Sequence, residues 1–497
     1  MQSTGKSWGV VIVLLTLLAQ LPLMLKVKIV EYDEAIFCDV ARNIRYTGLP
    51  LRSIGRDGVF FFDHTLLYLY LLSTYVGAGT FFCRGITTLF SLCCVFLVYI
   101  IGHRVGGRIA GFISALVVGV QPFFALYSFF IRMEIFCLFF LLAGLAVLSL
   151  EAWGISNKKM VITGVALAIA VLFKEIALVF VAICGVYILV KFRKDRLALG
   201  KALLLVVAPP VLALLVWGIW CWHLSPEAFI AVMQRWMGAA AMGGQDPRSS
   251  LTPLQWMRRI VVELLGPGLT ILWAGAVVYS VVRKRLEALD WILLGYPGGA
   301  ILLSFFIRLK EPRHLIGILP VIALFIGIKV EWESLWIQMQ GNRLRQIIST
   351  ILALMLVFSA SPMRLPLRNV SDPRSWLDPL YAWRLFENDR YYNVLRLTGL
   401  YLQNHTEPKE IITVVHEATV TAYYANRHYN MLYTLPLERV MQVLAGTRYL
   451  VWDHEVFLAL NEGQIYVVRE YVNQHFEVEQ VIRDDYREVT IYRRREG

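Results

Sequence analysis

The 497-residue chain is 58% hydrophobic and only 17% charged, with a mean hydropathy of +0.59. That balance leaves too little charge to coat a soluble globule and requires lipid as part of the solvent. The net charge of +12 comes without a basic patch interleaved with aromatics, so nucleic acid is set aside as a partner, and the excess falls in short loops and a basic tail where it sets membrane orientation.

A crossing takes about 20 apolar residues to cover about 30 Å of hydrocarbon. The first run, Ser7 to Leu25, has no small-residue cleavage site after it and reads as a retained signal anchor. The loop from Lys26 to Arg84 opens on Glu31-Tyr32-Asp33-Glu34. Asp33 is suited to cap a helix reaching about Tyr46, whose Ile36, Val40 and Ile44 form one apolar stripe. Thr65 to Cys83 is long enough to span, yet a crossing there would turn every later basic loop outward. It is therefore placed at the outer interface, which suits Tyr68, Tyr70 and Tyr75.

Further spans are expected from Gly85 to His103, Ile109 to Ile131, Ile135 to Leu150, Met160 to Phe173, Ile176 to Val190, Ala202 to Ser225, Leu264 to Val282, Trp291 to Ile307, His314 to Ile328 and Gln346 to Met363. This makes about eleven crossings, with thirteen as the upper count. With the N-terminus in the cytoplasm, five short inward loops hold fifteen Lys and Arg and the short outward connections only five, the bias that retains basic loops on the cytoplasmic side.

In the tail the apolar runs shorten and charge density rises, as in a soluble fold. Strands are expected over 411–415, 449–452 and 489–492. Helices are expected from about Tyr392 to Glu407-Pro408 and over 437–444 and 464–475. The expected fold is a polytopic α-helical membrane domain over 1–363, including the outward loop 26–84 with its interfacial helices, followed by a small soluble extracytoplasmic α/β domain over 364–497. All seven cysteines precede residue 222 without metal-ligand spacing, so core packing is their default and no metal site is expected from them; a disulfide between Cys38 and Cys83 stays open.

The five outward cations are Arg132, Lys174, Arg308, Lys310 and Arg313, and each connection also carries Glu134, Glu175 or Glu311. Singly, each reads as a snorkelling interfacial charge. As a set on one face they suit a lipid phosphate and its stabilisation as a leaving group. Asp33 likewise has two readings: a cap followed by a favourable first-turn Glu34, or a general base for an acceptor hydroxyl at the water–lipid boundary.

The run Asp33-Glu34-Ala35-Ile36-Phe37-Cys38-Asp39-Val40-Ala41-Arg42-Asn43-Ile44-Arg45-Tyr46-Thr47-Gly48 resembles the first-loop pattern of GT-C membrane glycosyltransferases, in the branch of the protein O-mannosyltransferases and lipid A aminoarabinose transferases. The likeness continues collinearly at Phe62-Asp63-His64-Thr65-Leu66-Leu67-Tyr68, Arg84, Arg132-Met133-Glu134, Lys174-Glu175 and Pro312-Arg313-His314-Leu315, though Thr65 and Leu66 replace two prolines of the family pattern.

The resemblance implies transfer of a sugar from a polyprenyl-phosphate donor to an acceptor hydroxyl, on a lipid such as lipid A, a glycan or a protein, at the outer face of a prokaryotic plasma (inner) membrane, with the tail periplasmic or extracellular. In that reading Asp33 is the base, Glu34 and Glu134 position or polarise the acceptor, and His64, Lys174 and Arg313, with Arg132 and Arg84, hold the donor phosphate. Single displacement would invert the anomeric carbon. No cofactor is expected to be required, a divalent cation being the alternative. A transporter or flippase of a lipid-linked or anionic solute is the rival class; the paired broken helices that often mark transporters are not found in the sequence.

Overall fold

The computed structural model describes residues 4–149, 156–236, 252–330 except 284–285, 288 and 306–311, and 388–495 except 416–417, 433–434, 454–459 and 485–486. The expected span from Gln346 to Met363, the domain boundary after residue 363, and Arg308, Lys310 and Glu311 lie outside the described residues. The chain forms two compact units. Met1–Leu25, Asp63–Tyr68 and Arg84–Leu385 make one, and Lys26–Phe62, Leu69–Cys83 and Phe386–Gly497 make the other.

The first unit is helical. Among the described residues, Thr80–Val120 and Arg196–Leu224 are long and apolar enough to cross a membrane, and shorter apolar helices include Met133–Ser149, Ala177–Lys191, Gly268–Val282 and Ile318–Lys329. Thr80–Val120 is two helices joined at Gly107, whose φ of 87° breaks the helical path and favours a residue without Cβ. A Cβ on Gly111 would lie 2.6 Å from both Tyr99 O and His103 N, so the chain folds back on itself with backbone against backbone. The expected span to Ile131 stops earlier. Gln121 caps a new short helix, Pro122–Tyr127, accepting the Phe124 N–H at 2.6 Å and donating to Leu264 O at 2.6 Å.

In this unit Met133–Ser149 packs along Asn157–Phe173, which also contacts Ala208–Leu224. Trp256 Nε1 donates to Ser304 Oγ at 2.8 Å, satisfying a buried indole as such a site requires. A buried ion pair, Lys329 Nζ to Asp290 Oδ2 at 2.8 Å, joins Ile318–Lys329 to Asp290–Ser304.

The second unit is built on a five-stranded sheet. Its tail strands are Ile411–Val414 (β3), His428–Met431 (β4), Tyr449–Asp453 (β5), Phe476–Arg483 (β6) and Glu488–Arg494 (β7), after a small hairpin of Leu51–Arg52 (β1) and Val59–Phe60 (β2). The order is β4-β3-β5-β7-β6; β4, β3 and β5 are parallel, while β7 is antiparallel to β5 and β6. Successive side chains of a strand face opposite ways, and β5 obeys this: Tyr449 and Val451 enter one apolar cluster, Leu450 and Trp452 the other. Helices Asn388–His405 and Ala418–Ala425 cover the first face, Leu437–Ala445 and Glu462–His475 the second.

Residues 26–62 and 69–83 are part of this unit. Ile29, Val30 and Ala35 lie in the same core cluster as Val394, Ile412, Val420 and Tyr429. Leu67–Tyr75 continues as a 3-10 turn over Val76–Ala78; these 12 residues make one short apolar segment, which at about 1.5 Å per residue falls well short of the hydrocarbon thickness.

Candidate active site

The acidic helix runs from Tyr32 to Thr47, two residues earlier than a cap at Asp33 would start it. Glu31, and not Asp33, is its N-cap. The reason is local: Glu34 occupies the third helical position and its Oε2 accepts the Glu31 N–H at 3.0 Å, the reach-back half of a capping box. Glu34 thereby closes the first turn and is fully buried, whereas Asp33 is partly exposed. Gly48 ends the helix in the left-handed region with φ 76°, as glycine commonly does. Further along, the Asp39 carboxylate accepts both the backbone N–H of Ser53 at 2.9 Å and its hydroxyl at 2.6 Å. Burial pushes this carboxyl above its usual range against the pull of those bonds.

The cations occupy the helical unit. Asn157–Phe173 ends because Lys174 turns extended, with φ −157° and ψ 127°, while its N–H still reaches Ala170 O. Lys174 Nζ then donates to Glu134 Oε1 at 2.5 Å and lies 3.3 Å from His314 Nδ1. Glu134 stands in the first turn of Met133–Ser149, a favourable place for an anion. Besides Lys174, Arg132 and Arg313 act on its charge. Arg132 lies over the rings of Tyr127 and Phe130, at 5.2 and 5.9 Å, and Arg84 approaches Phe130 at 5.7 Å, in the range of cation–π attraction. Lys174, Arg132 and Arg84 are 3%, 2% and 2% exposed, so these charges are held out of bulk water.

Thr65 stands where the resembled pattern has a proline. Its hydroxyl donates to Val171 O at 3.1 Å, which fixes the backbone beside His64. His64 Nδ1 lies 3.4 Å from Glu175 Oε1. Burial pushes the Glu175 carboxyl up, but His64 and Lys174 outweigh it, so the group lies below its ordinary value.

Glu134, Lys174, Arg132 and Arg313 are thus brought together, His64 joins them through Glu175, and Arg84 shares an aromatic ring with Arg132. Asp33 and Glu34 belong to the other compact unit. Two members had no role assigned from sequence, Glu175 and His314; each is the direct neighbour of a predicted cation, Lys174 and Arg313, and that adjacency was the available signal. Among the described residues no three His, Cys, Asp or Glu side chains gather as a metal site would need.

The chain has the GT-C fold. Over 98% of its length it superposes on 98% of the lipid A aminoarabinose transferase ArnT from Cupriavidus metallidurans bound to undecaprenyl phosphate, with a TM-score of 0.67 at 14% identity. The archaeal oligosaccharyltransferase AglB from Archaeoglobus fulgidus, in complex with an inhibitory peptide and a dolichol-phosphate, matches 91% of this chain over 69% of its own, with a TM-score of 0.59 at 13% identity. A complex of the Archaeoglobus fulgidus oligosaccharyltransferase with Zn and sulfate matches 90% of this chain over 68% of its own, at 0.55 and 14%. No family model and no curated protein sequence matches the chain.

Proposed function

We propose that the protein is an integral membrane glycosyltransferase that moves a sugar from a polyprenyl-phosphate donor to an acceptor hydroxyl at the outer face of a prokaryotic inner membrane. In this reading it crosses the bilayer about eleven times, and the acceptor is a lipid such as lipid A, a glycan or a protein. The observation that carries it is the gathering of the buried Lys174 and Arg132 and the half-buried Arg313 around the Glu134 carboxylate. Guanidinium and ammonium groups gathered in this way are suited to hold a phosphate and to stabilise its charge as it leaves. The solved structures with the same fold include one bound to undecaprenyl phosphate and one in complex with a dolichol-phosphate, which supports the same ligand class here.

Asp33 takes the acceptor proton as the acceptor oxygen attacks the anomeric carbon. The bond from that carbon to the phosphate oxygen breaks, its electron pair leaves on the lipid phosphate, and the anomeric configuration inverts. A phosphate leaves as a weak base, so cations suffice to stabilise it without a proton donor. Lys174, Arg313 and His64, with Arg132 and Arg84, supply those charges. Glu34, which also closes the turn that carries Asp33, and Glu134, which also aims Lys174, position or polarise the acceptor.

Replacing Asp33 tests the assignment. Asp33→Asn should abolish transfer in purified protein while polyprenyl phosphate still binds; turnover at the parental rate would refute the base role. No step runs through a metal, so transfer should survive EDTA. Loss on chelation with recovery on adding Mg²⁺, Mn²⁺ or Zn²⁺ would add a divalent ion to the mechanism.

A further inference from the structure

The acidic helix and the tail meet at Ser53, and every polar group of that residue is used. Its N–H and Oγ donate to the two carboxylate oxygens of Asp39, at 2.9 and 2.6 Å, and its Oγ accepts from Asn43 Nδ2 at 3.0 Å. Asn43 also donates to Leu51 O at 2.7 Å. Asp39 and Asn43 are four residues apart on one helix and so share a face. The Ser53 carbonyl accepts the Tyr429 N–H at 2.9 Å, and the Gly55 N–H donates to Tyr429 O at 2.8 Å. These bonds make Ile54 and Tyr429 a parallel bridge at the outer edge of β4.

Side chains secure the same edge. Arg52 Nη2 donates to Tyr429 Oη at 2.9 Å and to Thr419 Oγ1 at 3.2 Å, and His428 Nδ1 is 2.9 Å from Gly55 O. Beside Asn43, Arg42 lies 4.3 Å over the Tyr423 ring, and at the other end, just before the helix, the Val30 N–H donates to Tyr424 Oη at 3.0 Å. An edge strand accepts an extended segment because its unpaired backbone groups await partners; here the partner segment comes from the same chain, more than 370 residues away.

We propose that the tail is the scaffold of the acidic helix, with Asp39 and Ser53 as positioning residues for Asp33, so that sheet pairing at β4 sets where the base stands. Asp39 lies six residues from Asp33 on a continuous helix, about 9 Å along its axis. A helix held at Asp39 and Asn43 on one face, and at Val30 before its first turn, is fixed in both rotation and translation. This inference rests on the reading of Asp33 as the base.

The test uses the full-length protein in lipid nanodiscs, with Asp39→Asn, Ser53→Ala and the double variant. Asp39→Asn should raise hydrogen exchange over 51–60 and 428–431 together. It should lower kcat about 10- to 100-fold, the cost of a base displaced by roughly an ångström, with the donor KM unchanged. The double variant should lose no more than the worse single one, because both act through one node. Where Asp39→Asn prevents folding, Asn43→Ala removes only the second hold on Ser53 and should loosen the same amides. Unchanged exchange over 428–431 overturns the structural link. Raised exchange with parental kcat overturns the positioning role. An active Asp33→Asn protein would instead remove the base assignment, and raised exchange in Asp39→Asn would still support the link.

Discussion

Lys174 and Glu134 form the most consequential contact in the helical unit, at 2.5 Å and almost wholly out of water. Deleting one partner of such a pair leaves the other charge uncompensated, which costs about 3 to 5 kcal/mol. Lys174→Met should therefore lower the melting temperature sharply and abolish polyprenyl-phosphate binding. Adding Glu134→Gln should recover most of the melting temperature and none of the binding. Recovery of both would show that Lys174 serves packing alone. Glu175 gives a pH signature whose sign follows from its lowered folded value. A carboxyl lowered by folding contributes stability that is full above its ordinary value of 4.5 and is lost as pH falls through its folded value. The difference in melting temperature between the parent and Glu175→Gln should shrink steadily as a titration is carried below that point, and a constant difference would contradict the His64–Glu175 interaction.

Elements were legible in the sequence to the extent that their signal is local. Long apolar runs announce themselves, so Met133–Ser149, Asn157–Phe173 and Ala177–Lys191 fall on expected stretches, and the tail strands Ile411–Val414 and Tyr449–Asp453 stand out as short apolar runs. Three tail elements lack such a signal. His428–Met431 is short and half polar, Phe476–Arg483 is a largely exposed edge strand, and Ala418–Ala425 is buried on most sides and so shows no amphipathic stripe. The misplaced cap at Asp33 has the same origin, because Asp is a better cap by propensity and only the Glu34 to Glu31 bond shifts the start. Close helix contacts are likewise silent in sequence. A Cβ on Gly399 would lie 2.5 Å from Thr421 O and 2.7 Å from Tyr424 Cβ, so Asn388–His405 could not keep its distance from Ala418–Ala425. Gly399→Val should cost about 1 to 3 kcal/mol, the usual toll of overpacking, and should speed proteolysis within 388–430. A variant as resistant as the parent would refute this close approach.

At the scale of the whole molecule, sequence periodicity reads neighbours along the chain and is blind to partners hundreds of residues apart. The union of residues 26–62 with the tail was therefore not visible, although each part separately was. Its consequence is that the tail cannot be removed as an independent module. Deleting residues 386–497 strips Ile29, Val30 and Ala35 of their core partners, and the shortened protein should lose transfer and show rapid exchange over 32–47. Slow exchange there would show that the acidic helix stands without the tail. Sugar transfer from a lipid phosphate would be read out by mass spectrometry of polyprenyl phosphates and glycoconjugates in cells with the protein, without it, and with Asp33→Asn in its place. One sugar should disappear from a glycoconjugate, and its polyprenyl-phosphate form should accumulate, both without the protein and with the variant. Identical glycoconjugate and polyprenyl-phosphate profiles in all three would contradict such transfer.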